Sequence, residues 1–107
     1  MATRGKKIEW RIRYKNDRMI DAIRDSLYSG SRFFTEETMS FWNSVIEYGM
    51  FSNDTFVTSE DNFDRTKQLF TVRRYNWKKH TVETIGGFQQ FTSRDEAIRY
   101  AKDYKGE

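Results

Sequence analysis

The chain has no cysteine, no proline and a single histidine. Without thiols there is no disulfide framework, no thiolate nucleophile and no zinc-thiolate site. With one histidine, His80, at the start of a strand next to Lys78 and Lys79, nothing local supplies a nucleophile or an orienting acid, so a catalytic triad is not expected. No apolar run approaches the roughly 18 residues of a membrane span, and no signal-type hydrophobic segment follows the first seven residues. Those absences point to a cytoplasmic, non-enzymatic protein that calls for no cofactor and no membrane. Glycine-rich phosphate cradles are also missing. Gly86-Gly87 follows a strand-like run without the G-x-G-x-x-G spacing, and its expected job is a turn needing positive φ.

What is present in quantity is aromatic side chain and sorted charge. Nine Phe, six Tyr and three Trp stand in 107 residues, and each buries roughly 150–250 Å², enough for a few to close one small core. From Phe33 to Asp64 there are seven acids (Glu36, Glu37, Glu47, Asp54, Glu60, Asp61, Asp64) and no Lys or Arg. Arg65, Lys67, Arg73, Arg74, Lys78 and Lys79 then arrive before the next acid, Glu83. Fields sorted this way steer charged partners and exclude wrong ones. The net charge of +3 is carried by Arg4, Lys6 and Lys7, which leaves a body of sixteen bases against sixteen acids. The domain is dipolar rather than basic.

The organisation expected is a disordered basic head over 1–7 and one compact α+β domain over 8–107. Ile8 to Tyr14 alternates apolar and charged residues, as an edge strand does. A helix capped by Asn16 or Asp17 carries Met19, Ile20, Ile23 and Leu27, and ends at Ser29-Gly30. A second helix is expected from the Thr35 cap to Gly49, with Met39, Trp42, Val45 and Ile46 facing the core. Strands follow at 55–59, 67–76 and 80–85. The middle one carries Phe70 and Val72 on one face, with Leu69, Thr71, Arg73 and Tyr75 on the other. Ser93 and Glu96 have capping-box spacing at the start of a last helix whose stripe is Ala97, Ile98, Ala101 and Tyr104. The fold read from this order is a three-stranded antiparallel sheet with helices on one face in the order α-β-β-β-α, preceded by a strand and a helix.

Two surfaces are candidates for binding. Arg73, Arg74, Tyr75, Trp77, Lys78, Lys79 and His80 mix cations with aromatics around a hairpin tip, the combination that holds phosphates while stacking on bases. Glu36, Glu37, Glu60, Asp61 and Asp64 form a candidate acidic partner-binding patch. The run from Glu60 to Asp64 is faintly calcium-loop-like but lacks the central glycine and distal glutamate, so a solvated hairpin turn is expected there.

The run from Thr84 to Ala101, with its Gly-x-Phe, Ser cap and Glu-Ala pair, resembles the strand-turn-helix end of three-stranded DNA-binding domains of the ethylene-response and phage-integrase arm type. That resemblance covers about Lys67 to Tyr104 and implies sheet-borne DNA contacts at Arg73, Tyr75, Trp77 and Lys79. The α-β-β-β-α order is also similar to a double-stranded-RNA-binding domain, although the last helix opens on Arg94-Asp95-Glu96 rather than on lysines. The run from Phe33 to Ser44, with Phe56 to Glu60, Phe70 to Arg74 and Phe88 to Ala101, resembles small uncharacterised bacteriophage-encoded proteins. It implies a protein of the bacterial cytoplasm that docks on a host protein complex of the nucleic-acid or defence machinery. DNA or RNA is the alternative partner.

Overall fold

The computed structural model describes residues 11–105. The basic head expected over 1–7, and most of the strand expected over 8–14, lie outside them. The order of elements is α1 (Asp17–Tyr28), α2 (Glu36–Phe41), β1 (Val45–Gly49), β2 (Thr55–Asp61), β3 (Gln68–Asn76), β4 (Thr81–Ile85) and α3 (Arg94–Asp103). The four strands form one antiparallel meander in the order β1-β2-β3-β4. The fold is therefore α+β with four strands, not three.

The added strand comes from the second half of the expected second helix. Thr35 caps α2 as expected, its hydroxyl accepting from Thr38 N–H. The helix ends after Phe41, and Asn43 adopts φ 54°, a left-handed turn that Asn tolerates and that redirects the chain. Val45 to Gly49 then pairs with β2, with a register shift between Ile46 and Tyr48 that leaves Glu47 as a bulge. Of the strand expected at 8–14, what is described is one parallel bridge, Ile12 to Ile46.

Helices cover both faces of the sheet, which corrects the one-face expectation. Phe56 and Val57 are neighbours on β2 and point to opposite sides. Phe56 packs with Met19, Ala22 and Ile23 of α1, Met39 of α2, and with Phe34, Ile46, Met50 and Tyr75. Val57 packs with Val72 and with Ala97 and Ala101 of α3. The two alanines let α3 sit close to the sheet. Gly49 is required where β1 meets β2, because a Cβ there would run into the Phe56 side chain. Asn16 ties α1 to the end of β1: its Oδ1 accepts from Met19 N–H at 2.9 Å and Met50 N–H at 3.0 Å, and its Nδ2 donates to the Met50 carbonyl at 2.8 Å. Ser93 caps α3, accepting from Glu96 N–H. Gly86 takes φ 77° after β4, the turn conformation expected of it.

Candidate docking surface

The cation-aromatic run occupies β3 and the 77–80 turn into β4, but its members part company. Arg73 is 8% exposed and Tyr75 1%, so the expectation of an exposed stacking surface at these two is corrected. Their face, the one opposite α3, is the floor of the larger core and is covered by α1 and α2. Arg74 turns the other way, 3.9 Å from Glu83. Trp77 is half-buried; its Nε1 donates to Asp54 at 3.0 Å and its ring meets Tyr75 edge-on at 4.9 Å. Asp54 also accepts from Arg18 at 2.7 Å. Lys78 and Lys79 remain exposed, their backbone N–H groups donating to Asn76 Oδ1 at 3.0 Å.

His80, at φ 58°, turns back onto α1, with Nδ1 2.7 Å from Asp25 Oδ2. The same oxygen accepts from Tyr75 Oη at 2.6 Å. The hydrogen bond from His80, and then that from Tyr75, hold the Asp25 carboxyl below its usual range. Burial, and then the bond to Asp25, push the Tyr75 hydroxyl upward. This group latches the hairpin tip to α1.

The acidic patch also divides. Glu36 opens α2 and Glu37 is exposed. Glu60 is fully buried and is no part of a surface. Its Oε2 accepts from Arg73 Nη2 at 2.8 Å and Thr58 Oγ1 at 2.6 Å, and its Oε1 from Thr71 Oγ1 at 2.9 Å. Arg73 further donates to Thr58 at 2.8 Å and Thr84 at 3.1 Å. Its guanidinium lies 5.0 Å from the Phe33 ring centre and 5.7 Å from that of Phe88, within cation-π range. A buried pair persists only when its lone pairs and protons are satisfied in this way.

Asp61 and Asp64 stay at the surface, and the fold brings a row of aromatics beside them. Trp42, half-buried, meets Phe41 at 5.1 Å and Phe88 at 5.8 Å between ring centres. Phe41 is 69% exposed, Phe88 45%, and Phe63, in the β2–β3 turn, 89%. The turn is fastened to α2: Arg65 Nη2 reaches the Phe41 carbonyl at 3.4 Å, and Asp61 N–H donates to the Trp42 carbonyl at 2.9 Å. Arg65 also pairs with Asp61 at 3.5 Å. Asp64 is held below the usual carboxylate range chiefly by the Thr66 hydroxyl. This aromatic end was missed as a unit. Its signal was Phe63 between Asn62 and Asp64, a large apolar side chain in a polar turn.

A concavity of about 550 Å³ runs along α3 past Phe91, Tyr100 and Tyr104. Among the described residues no three His, Cys, Asp or Glu side chains are placed to hold a metal, and no helix is long and apolar enough to cross a membrane.

Fold and surface together define a small α+β protein: an antiparallel meander covered on both faces, with one aromatic end left open. Residues 18–102 match a family described as a family of unknown function (DUF7447), and the chain belongs to that family. Compared with curated proteins and with solved structures, it has no match in either.

Proposed function

We propose that the protein is a non-enzymatic binder that docks on another protein through its aromatic end. The observation that carries this reading is the exposure of Phe41, Phe63 and Phe88, brought to one end by α2, the β2–β3 turn and the loop after β4. Exposed aromatics clustered on a rigid frame are what interface anchors look like before the partner arrives. Exposed Asp64 follows Phe63 in the chain, while Asp61 is paired with Arg65, so the fitting partner surface is apolar with a cation opposite Asp64. Together with the resemblance to small bacteriophage-encoded proteins, this favours a host protein complex that itself handles nucleic acid or serves defence, in a bacterial cytoplasm. Such proteins carry basic surfaces made for phosphate.

The competing reading, a nucleic-acid module using Arg73, Arg74, Tyr75, Trp77, Lys78, Lys79 and His80, has less behind it. Its stacking residue Tyr75 is buried and Trp77 half-buried, Arg73 is neutralised by Glu60, and Lys78 and Lys79 stand exposed at the tip. Binding to mixed DNA and RNA at about 50 and 200 mM salt separates the two, because phosphate-driven affinity falls steeply across that range. The docking reading expects no measurable binding at the higher salt. Strong, salt-sensitive binding lost in the Lys78→Ala/Lys79→Ala variant would replace it with the nucleic-acid reading.

A further inference from the structure

The two edges of the sheet are finished differently. At β1 the bulge at Glu47 breaks the register, and residues 11–13 take up backbone groups of Ile46. Arg13 N–H donates to the Ile46 carbonyl at 2.8 Å, and Ile46 N–H to the Arg11 carbonyl at 2.9 Å. Bulges, lysines, prolines and covering segments are how natural sheets blunt an edge. β4 has none within it: Thr81-Val82-Glu83-Thr84-Ile85 pairs with β3 in unbroken register.

Which β4 groups face outward follows from the alternation of antiparallel bonds. Tyr75 N–H donates to the Asp54 carbonyl, on the β2 side of β3. Phe70 exchanges both backbone bonds with Phe91, on the other side. Alternation then sends the backbone groups of Val72, Arg74 and Asn76 toward β4, where they meet Ile85, Glu83 and Thr81. The N–H and C=O groups of Val82 and Thr84 are left facing the open edge, and none has a partner among the described residues.

We infer that the β4 edge is a strand-docking strip that takes an extended, basic segment of a partner protein as a fifth, antiparallel strand. Main-chain bonds to Val82 and Thr84 supply the pairing, as in other strand-addition interfaces. Glu83, at the strip's centre, accepts from Asn76 Nδ2 at 2.9 Å and lies 3.9 Å from Arg74, but its side chain stays 40% exposed, and that open carboxylate selects the occupant. A second copy joined through the same groups sets Glu83 against Glu83 in the pair without hydrogen bonds, where side chains come closest and like charges destabilise. A heterologous strand with Lys or Arg opposite Glu83 turns that clash into an attraction. The strip is continuous with the aromatic end, since the chain passes from Ile85 through Gly86-Gly87 to Phe88. The inference rests on the reading of the protein as a protein-docking module, but it uses different atoms.

The test uses the full chain, nitrogen-15 labelled, and the synthetic peptide acetyl-Thr-Thr-Val-Lys-Val-Thr-Thr-amide as probe. Two control peptides carry Glu in place of Lys, or N-methyl groups on both valines. At a lysine-peptide concentration about ten times its dissociation constant, amide exchange at Val82 and Thr84 should slow about tenfold. The N-methylated and Glu peptides should leave it unchanged, and Glu83→Lys should reverse the preference between Lys and Glu peptides. The Phe41→Ser/Phe63→Ser variant should bind the lysine peptide as the parent does, which separates failure of this inference from failure of the aromatic-end reading. Unchanged exchange with the lysine peptide, or equal protection by the N-methylated one, overturns the inference. So does equal affinity for the Lys and Glu peptides, or protection of Val82 and Thr84 by self-association alone.

Discussion

Arg73 and Glu60 show how far a single side chain's role depends on what arrives from elsewhere in the chain. Alternation along β3 correctly placed Arg73 on one face with Leu69, Thr71 and Tyr75. It could not say that Phe33, some forty residues earlier, would close over the guanidinium, or that Glu60 would lie beneath it. Burying the pair makes it unforgiving. Removing one partner strands the other charge at a cost of about 3–5 kcal/mol, so Glu60→Ala should lower Tm by roughly 10 °C or more in a domain of this size. The joint replacement Glu60→Leu/Arg73→Met should recover most of the loss, as thermal unfolding of the three variants will show. Asp25 and Tyr75 carry pH dependence in opposite directions. Asp25 has its folded pKa lowered, so the stability it lends is present at neutral pH and lost as pH falls below about 4. Tyr75 has its folded pKa raised, so its contribution is present below about pH 10 and lost above it. Denaturant midpoints against pH should therefore show a shallower acid limb in Asp25→Asn and a shallower alkaline limb in Tyr75→Phe.

Elements were legible where local signals agreed with the fold and were misread where two periods fitted the same residues. Thr35 and Ser93 cap the helices they were expected to cap, and of the two candidates Asn16 and Asp17 it is Asn16 that caps α1, because a side chain satisfying the first orphan N–H groups is a local event. β3 and β4 start within one residue of where alternation placed them and end where it ended them, while β2 runs on through Glu60 and Asp61, which were expected in a solvated turn. β1 was lost because Met39, Trp42, Val45 and Ile46 also fit a helical stripe. The signal against it was Asn43-Ser44 followed by two β-branched residues and a Gly at position 49. Coverage of the second sheet face was not legible, since α1 reaches the sheet only through tertiary packing. Asn16 serves as both cap and tie in the structure, so Asn16→Ala should cost more than the roughly 0.5–2 kcal/mol of a cap alone, with about 0.5–1.5 kcal/mol for each further bond lost. Asn16→Asp keeps the acceptor and should lose distinctly less, as urea unfolding of both variants will show.

At the scale of the whole molecule much of the sorted charge closes on itself: Glu47, Asp54, Glu60 and Asp61 pair with Arg13 and Arg94, Arg18, Arg73 and Arg65, leaving exposed Asp64 beside Phe63 at the aromatic end and Lys78 and Lys79 at a separate hairpin tip. The sequence reading found the acids Asp61 and Asp64 and the tip lysines, but not Phe41, Phe63 and Phe88, whose exposure is set by where α2, the β2–β3 turn and the 86–90 loop meet. Because the Phe41 and Phe63 rings are wet in the isolated protein, replacing those two, with Phe88 left in place over Arg73, should leave Tm unchanged within a few degrees while removing interface anchors, a pattern that core residues do not give. The most direct measurement is therefore a quantitative capture comparison from nuclease-treated bacterial lysate. It would set the parent chain against the Phe41→Ser/Phe63→Ser and Lys78→Ala/Lys79→Ala variants, with Tm recorded for each. The docking account predicts a protein partner retained by the parent and the lysine variant and lost, at unchanged Tm, from the aromatic variant. A partner held equally by the aromatic variant, or one lost only with the lysines or with nuclease treatment, contradicts it.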